Sequence, residues 1–203
     1  MDYGHYDEDP AGRKLPTTIK VLIAGGFGAG KTTMVGAVSE IRPMSTEERI
    51  TERSIGVDDM SGVEAKTTTT VAMDFGRITI SDDLVLYLFG TPGQDRFWFI
   101  WDELASGAVG AVVLADTRRL SDSFPSIDYF ERRRTPFVVA VNCFDGAPSY
   151  HPDEIKLALN LEPEVPVMLC DARKKASGKE VLIALMEQAM KHAGRTVEAD
   201  SPV

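Results

Sequence analysis

The sequence predicts an α/β protein, a three-layer fold built on a doubly wound and mostly parallel sheet, and three observations predict it. Residues 84–89, 111–115 and 137–141 are apolar runs with no polar face, the pattern of strands covered by helices on both sides. Helix-like stretches at about 121–133 and 152–160 follow the second and third of these runs. The first apolar run, Ile19-Lys20-Val21-Leu22-Ile23-Ala24, enters a glycine-rich octet and then the start of a helix. That strand-loop-helix unit places a ligand at the carboxyl ends of the strands.

The elements follow in order. Residues 1–16 are polar, acidic and punctuated by proline, and read as a disordered tail. The first strand and octet lead into a helix whose first turns are Thr33-Met34-Val35-Gly36-Ala37-Val38. A charged, polar stretch from about 42 to 66 reads as a long functional loop. Thr70-Val71-Ala72-Met73-Asp74-Phe75 alternates, so it reads as a half-exposed edge strand with Val71, Met73 and Phe75 on one face. Asp82-Asp83 turns the chain into the first buried run. The sixth strand is expected at 165–169, a closing amphipathic helix at about 178–192, and a flexible tail at 194–203. One domain over 17–193 is the expectation for a chain of 203 residues that is 43% hydrophobic.

A net charge of −9 argues against a nucleic acid or an anionic membrane surface as the main target, since both favour a basic face. No apolar run approaches the roughly 20 residues of a membrane span, and the N-terminus shows no signal-peptide or myristoylation pattern. With two cysteines no disulfide framework is possible, which suits a reducing cytosol.

The octet Gly25-Gly26-Phe27-Gly28-Ala29-Gly30-Lys31-Thr32 carries the first chemistry. It fits G-x-x-x-x-G-K-[ST], a loop whose backbone N–H groups face phosphate oxygens while a helix N-terminus adds favourable charge. Gly25, Gly28, Ala29, Gly30 and Thr33 belong to this cradle. Lys31 reaches the β- and γ-phosphates, and the Thr32 hydroxyl is the candidate Mg²⁺ ligand. Cys143 and Cys170 end neighbouring strands and have two readings, packing thiols or a redox-sensitive site.

Later strand ends carry a resemblance. Gly90-Thr91-Pro92-Gly93-Gln94, Asn142-Cys143-Phe144-Asp145 and Cys170-Asp171-Ala172-Arg173 resemble the Asp-Thr-Ala-Gly-Gln, Asn-Lys-x-Asp and Ser-Ala-Lys stretches of the Ras-like small GTPases, over about residues 18–192. Gly-Thr-Pro-Gly-Gln is similar to the bacterial Mgl-type polarity GTPases and more so to the actinobacterial conservon GTPases. The nine residues Gly25 to Thr33, the threonine run 67–70 and Arg96-Phe97-Trp98-Phe99 support the latter.

The resemblance implies GTP and GDP as ligands, with Mg²⁺. It implies that Asp145 reads guanine, because a carboxylate accepts two hydrogen bonds that adenine cannot supply. Asn142 and Ala172 complete the base site and Arg173 joins it. Thr70 is implied as a second Mg²⁺ ligand that engages only with GTP, Gly93 as a donor to the γ-phosphate, and Gln94 as the residue that orients the attacking water. Gly90 stands where the family holds Mg²⁺ through an aspartate. The Mgl-type resemblance implies that the fold tolerates this loss, with another carboxylate or water in its place. Hydrolysis is then expected to be slow unaided, and Arg49 or Arg53 could supply a cis arginine. Expected partners are a roadblock-type regulatory protein and a sensor-kinase-like membrane complex that would recruit a cytoplasmic protein. An exposed aromatic such as Phe99 near the switch would suit docking.

The leading expectation is therefore a guanine-nucleotide switch that hydrolyses GTP. A non-hydrolysing GTP-binding adaptor is the alternative. An ATP-binding P-loop protein, such as a small-molecule kinase, comes third.

Overall fold

The computed structural model describes residues 15–42, 44–51, 68–93 and 98–199, with side chains described outside 44–51, 68–72, 98–99 and 195–199. A seven-stranded sheet runs through it. The chain order is β1 (Thr17–Gly25), α1 (Lys31–Val38), β2 (Met44–Thr51), β3 (Thr68–Ser81), β4 (Leu84–Gly90) and α2 (Trp98–Ala105). Then come β5 (Ala108–Ala115), α3 (Phe124–Arg132), β6 (Phe137–Asn142), α4 (Pro152–Ala158), β7 (Val167–Cys170) and α5 (Lys175–Ala199).

Spatial order is β2-β3-β4-β1-β5-β6-β7. The five strands from β4 to β7 are parallel, whereas β3 pairs antiparallel with β4 and β2 antiparallel with β3. β1 lies between β4 and β5, at the point where the strand order reverses. A ligand site therefore forms at its carboxyl end.

Successive residues of β1 show why both faces must be covered. Val21 and Ile23 pack on one side with Met34, Val35 and Val38 of α1 and with Val181, Leu182 and Leu185 of α5. Leu22 and Ala24 pack on the other with Trp101 of α2, Ile127 and Phe130 of α3, and Ile155 of α4. The period-two alternation feeds two cores at once, and the three-layer expectation holds.

Three boundaries differ from the expectation. Part of the polar stretch 42–66 is strand β2, so the edge of the sheet is β2 and not β3. Thr70 therefore lies inside β3, opposite Arg49, instead of opening a strand. The well-buried face of β3 is Asp74, Gly76 and Ile78, while Met73 and Phe75 are only half covered. Gly76 on that face lets α1 approach: a Cβ there would lie 2.8 Å from Val35 Cγ1. Finally, α5 continues to Ala199, through the first residues of the segment expected to be a tail. Among the described residues, no helix is long and apolar enough to cross a membrane.

Candidate nucleotide site

The loop from Gly25 to Gly30 joins β1 to α1 at the switch point. Lys31 folds back over it, and its Nζ donates to the carbonyls of Gly25 and Gly26 at 2.8 Å each. Burial pulls the Lys31 ammonium down to about 8, and the nearby Asp74 carboxylate opposes that shift. Gly30 adopts φ +108, and a Cβ there would lie 2.5 Å from Asn142 Nδ2. Left-handed backbone and close approach both demand glycine at this position. Thr33 is exposed on the first turn of α1.

Asn142, at the end of β6, connects the two halves of the site. Its Nδ2 donates to the Ala29 carbonyl and its Oδ1 accepts from the Ala172 N–H, each at 3.0 Å. The side chain is buried, so both bonds are made out of water. Asn142→Ala should cost about 2–3 kcal/mol of stability in denaturant unfolding, because it leaves a buried carbonyl and a buried N–H unpaired.

Beyond Asn142 the chain turns outward. Asp145 is 86% exposed and faces Arg173, which donates to its Oδ2 at 2.8 Å and its Oδ1 at 3.2 Å. The guanidinium holds the Asp145 carboxyl below the usual carboxylate range. Arg118 supports the same loop. Its guanidinium lies 3.9 Å from the Phe144 ring centroid and forks onto the buried Asp116. Arg119 donates to the Phe27 carbonyl of the phosphate loop at 2.6 Å.

Asp74 is the residue that the sequence did not single out. The Thr32 hydroxyl donates to its Oδ2 at 2.6 Å, and the residue is 9% exposed. It stands directly across the ladder from Gly90. A Cβ at Gly90 would come within 3.0 Å of Asp74 Cβ and Oδ2. Gly90 is thus the gap into which the neighbouring strand inserts its carboxylate. Thr32 and Asp74 together offer oxygen donors of the kind that Mg²⁺ takes, one hydroxyl and one carboxylate.

Gly93 adjoins Lys31: a Cβ there would lie 2.6 Å from Lys31 Nζ and 3.0 Å from the Phe27 backbone. Thr70 and Arg49 face one another across β2 and β3, and their side chains lie outside the described residues. Gln94, Arg53 and Phe97 lie outside them too, as does the Phe99 side chain. Trp101 and Leu104 are buried in the core beneath α2. Cys170 packs with α1 and α5, and burial pushes its thiol up to about 12. That places it on the packing side of the two readings.

Comparison with known proteins bears on the family and the fold. Residues 23–192 match the model of a family described as conserved hypothetical ATP binding protein. An uncharacterized protein of Methanocaldococcus jannaschii is 29% identical over 129 residues, 63% of this chain and 71% of the relative. The G domain of the T. maritima FeoB iron transporter superposes with a TM-score of 0.56 at 18% identity, covering 87% of this chain and 99% of that one. The FeoB cytosolic domain in a GDP form gives 0.59 at 18% identity, over 86% of this chain and 65% of that one. The architecture shared with these domains is the three-layer α/β fold with its phosphate loop between β1 and α1.

Proposed function

The chain belongs to the family of conserved hypothetical ATP-binding proteins, and on that premise we propose that it is a guanine-nucleotide switch that binds GTP and GDP and slowly hydrolyses GTP. The observation that carries the reading is the Asn142 bridge between Ala29 and Ala172. The bridge ties the end of β6 to the phosphate loop, and in this reading Asp145, three residues on, meets a base attached to the held phosphates. Asp145 accepts from guanine N1–H and the exocyclic amine; the expected Ala172 N–H is not free for the base carbonyl, because it already donates to Asn142 Oδ1.

At the other end, Lys31 would turn from the Gly25 and Gly26 carbonyls to the β- and γ-phosphates. The Thr32 hydroxyl would hold Mg²⁺, with Asp74 accepting from its water in the role that Gly90 cannot fill. When bound, the metal neutralises charge on the phosphates. Gly93 donates to the γ-phosphate, Gln94 orients water, and Thr70 joins when GTP is present. With Asp74 of β3 in that role, hydrolysis is the expectation ahead of the non-hydrolysing adaptor. The conservon-like and Mgl-like features suggest a roadblock-type protein and a sensor-kinase-like membrane complex as partners.

Fluorescent GDP and ADP, each titrated with Mg²⁺, test the reading. A clear guanine preference supports it. Equal affinity would revive the third expectation, an ATP-binding P-loop protein, to which the family description points. Phosphate release from GTP over hours then separates hydrolase from adaptor.

Lys31 adds a pH dependence. Its depressed value near 8 means that the free site loses the ammonium as pH rises through 8, whereas bound phosphates favour the charged form. Nucleotide affinity should therefore fall about tenfold between about pH 7 and about pH 9. In Lys31→Met the profile should be flat as well as weak; a wild-type affinity constant across this range would remove Lys31 from the phosphates.

A further inference from the structure

We propose that Arg173 is an internal stand-in for guanine: it occupies Asp145 until nucleotide displaces it, and so sets the affinity and selectivity of the base site. The inference rests on the reading of Asp145 as the guanine contact. It comes from a chemical identity between two groups.

The edge of guanine that a carboxylate reads is N1–H beside an exocyclic amine on one carbon. That edge is half of a guanidine. Arg173 presents the same pair of parallel donors, and both Asp145 oxygens accept from it, at 2.8 and 3.2 Å. Guanine needs those same two oxygens. Ligand and side chain therefore compete for one acceptor.

The arginine is poised to stay near when displaced. Its Nε donates to Asp171 Oδ1 at 2.8 Å and its NH2 group to Asp171 Oδ2 at 3.0 Å. Asp171 is only 14% exposed at its side chain, and its backbone N–H donates to Ser177 Oγ at 3.0 Å. Asp171 is thus the firm anchor and Asp145, on an exposed loop, the looser one. A small rotation about the Asp171 pairing frees Asp145 without releasing the guanidinium to water.

The apparent dissociation constant is the intrinsic one divided by the fraction of molecules in which Asp145 is free. An exposed ion pair contributes modestly, and a bidentate fork lies at the strong end of that range. The competition should therefore cost about three- to tenfold in guanine-nucleotide affinity. It should cost nothing for adenine nucleotides, which make no use of Asp145. Salt screens the competitor, so the cost should shrink as ionic strength rises.

The experiment compares the full-length wild type with Arg173→Met, which keeps the stem and removes the fork. Fluorescent GDP and ADP are titrated at low and high NaCl, with Asp145→Asn as reference. The expected result is a GDP affinity about three- to tenfold tighter in Arg173→Met, with ADP unchanged and the gap narrowing in high salt. If the wild type prefers GDP and Asp145→Asn loses that preference, the base reading stands. Equal or weaker GDP binding by Arg173→Met then overturns the stand-in and makes Arg173 a direct base contact. A wild type with no guanine preference overturns both.

Discussion

Asp145→Asn should lower GDP affinity by about 10²-fold and raise affinity for the xanthine nucleotide, with the fold intact. An amide keeps the shape of the carboxylate but turns one of its two acceptors into a donor. Guanine then meets a donor with a donor, while xanthine offers a carbonyl at that position. Sites built on such bonds discriminate by up to 10⁴–10⁵ where water is excluded. Asp145 is 86% exposed, so the smaller figure applies here. The same exposure explains why unfolding should not move: the side chain supports no core contact, and its partner Arg173 retains Asp171. Competition titrations with GDP, XDP and ADP read the outcome. Unchanged GDP affinity would show that the base does not rest on Asp145, and the adenine reading would gain by it.

The elements read most easily in the sequence are those whose neighbours lie along the chain or on both faces. The buried strands β5 and β6 are apolar up to Asn142 because helices cover both sides, and the cradle is local, eight consecutive residues from the end of β1 to the start of α1. β2 leaves little mark on the sequence because Met-Ser-Thr-Glu-Glu-Arg-Ile-Thr pairs on one side only. An edge strand is held chiefly by its ladder, which leaves little hydrophobic periodicity to find. Asp74 and the Arg173–Asp145 pair escaped for another reason. Each depends on which residues stand opposite one another across strands or loops, and register is a property of pairing, not of spacing. One signal was available all the same. Where a metal-holding Asp is replaced by Gly, a carboxylate at a position of the adjacent strand that packs toward the cradle is the candidate to replace it.

Asp74→Asn should raise the Mg²⁺ concentration needed to retain nucleotide by about 10- to 100-fold, the usual effect of losing a carboxylate that orients a metal site. The amide retains the volume of Asp74, which is 9% exposed, and can still accept from Thr32, so the effect isolates charge from packing. Release of fluorescent GDP, followed as Mg²⁺ is titrated, measures it. Asp74 also supports the charge on Lys31; without it the ammonium should deprotonate at lower pH, so the fall in affinity on raising pH should begin earlier. A register argument gives the sharper comparison. Asp74 and Gly90 are direct cross-strand partners, so Asp74→Gly combined with Gly90→Asp moves one carboxylate across one rung and should recover most of the lost Mg²⁺ affinity. Gly90→Asp alone should behave otherwise, since its Cβ would press to 3.0 Å from Asp74 and set two carboxylates together in a buried position. It should destabilise the protein where the double exchange does not. If Asp74→Asn keeps the wild-type Mg²⁺ requirement, the carboxylate serves only to hold Thr32, and Gly90 marks a site without its metal-orienting group.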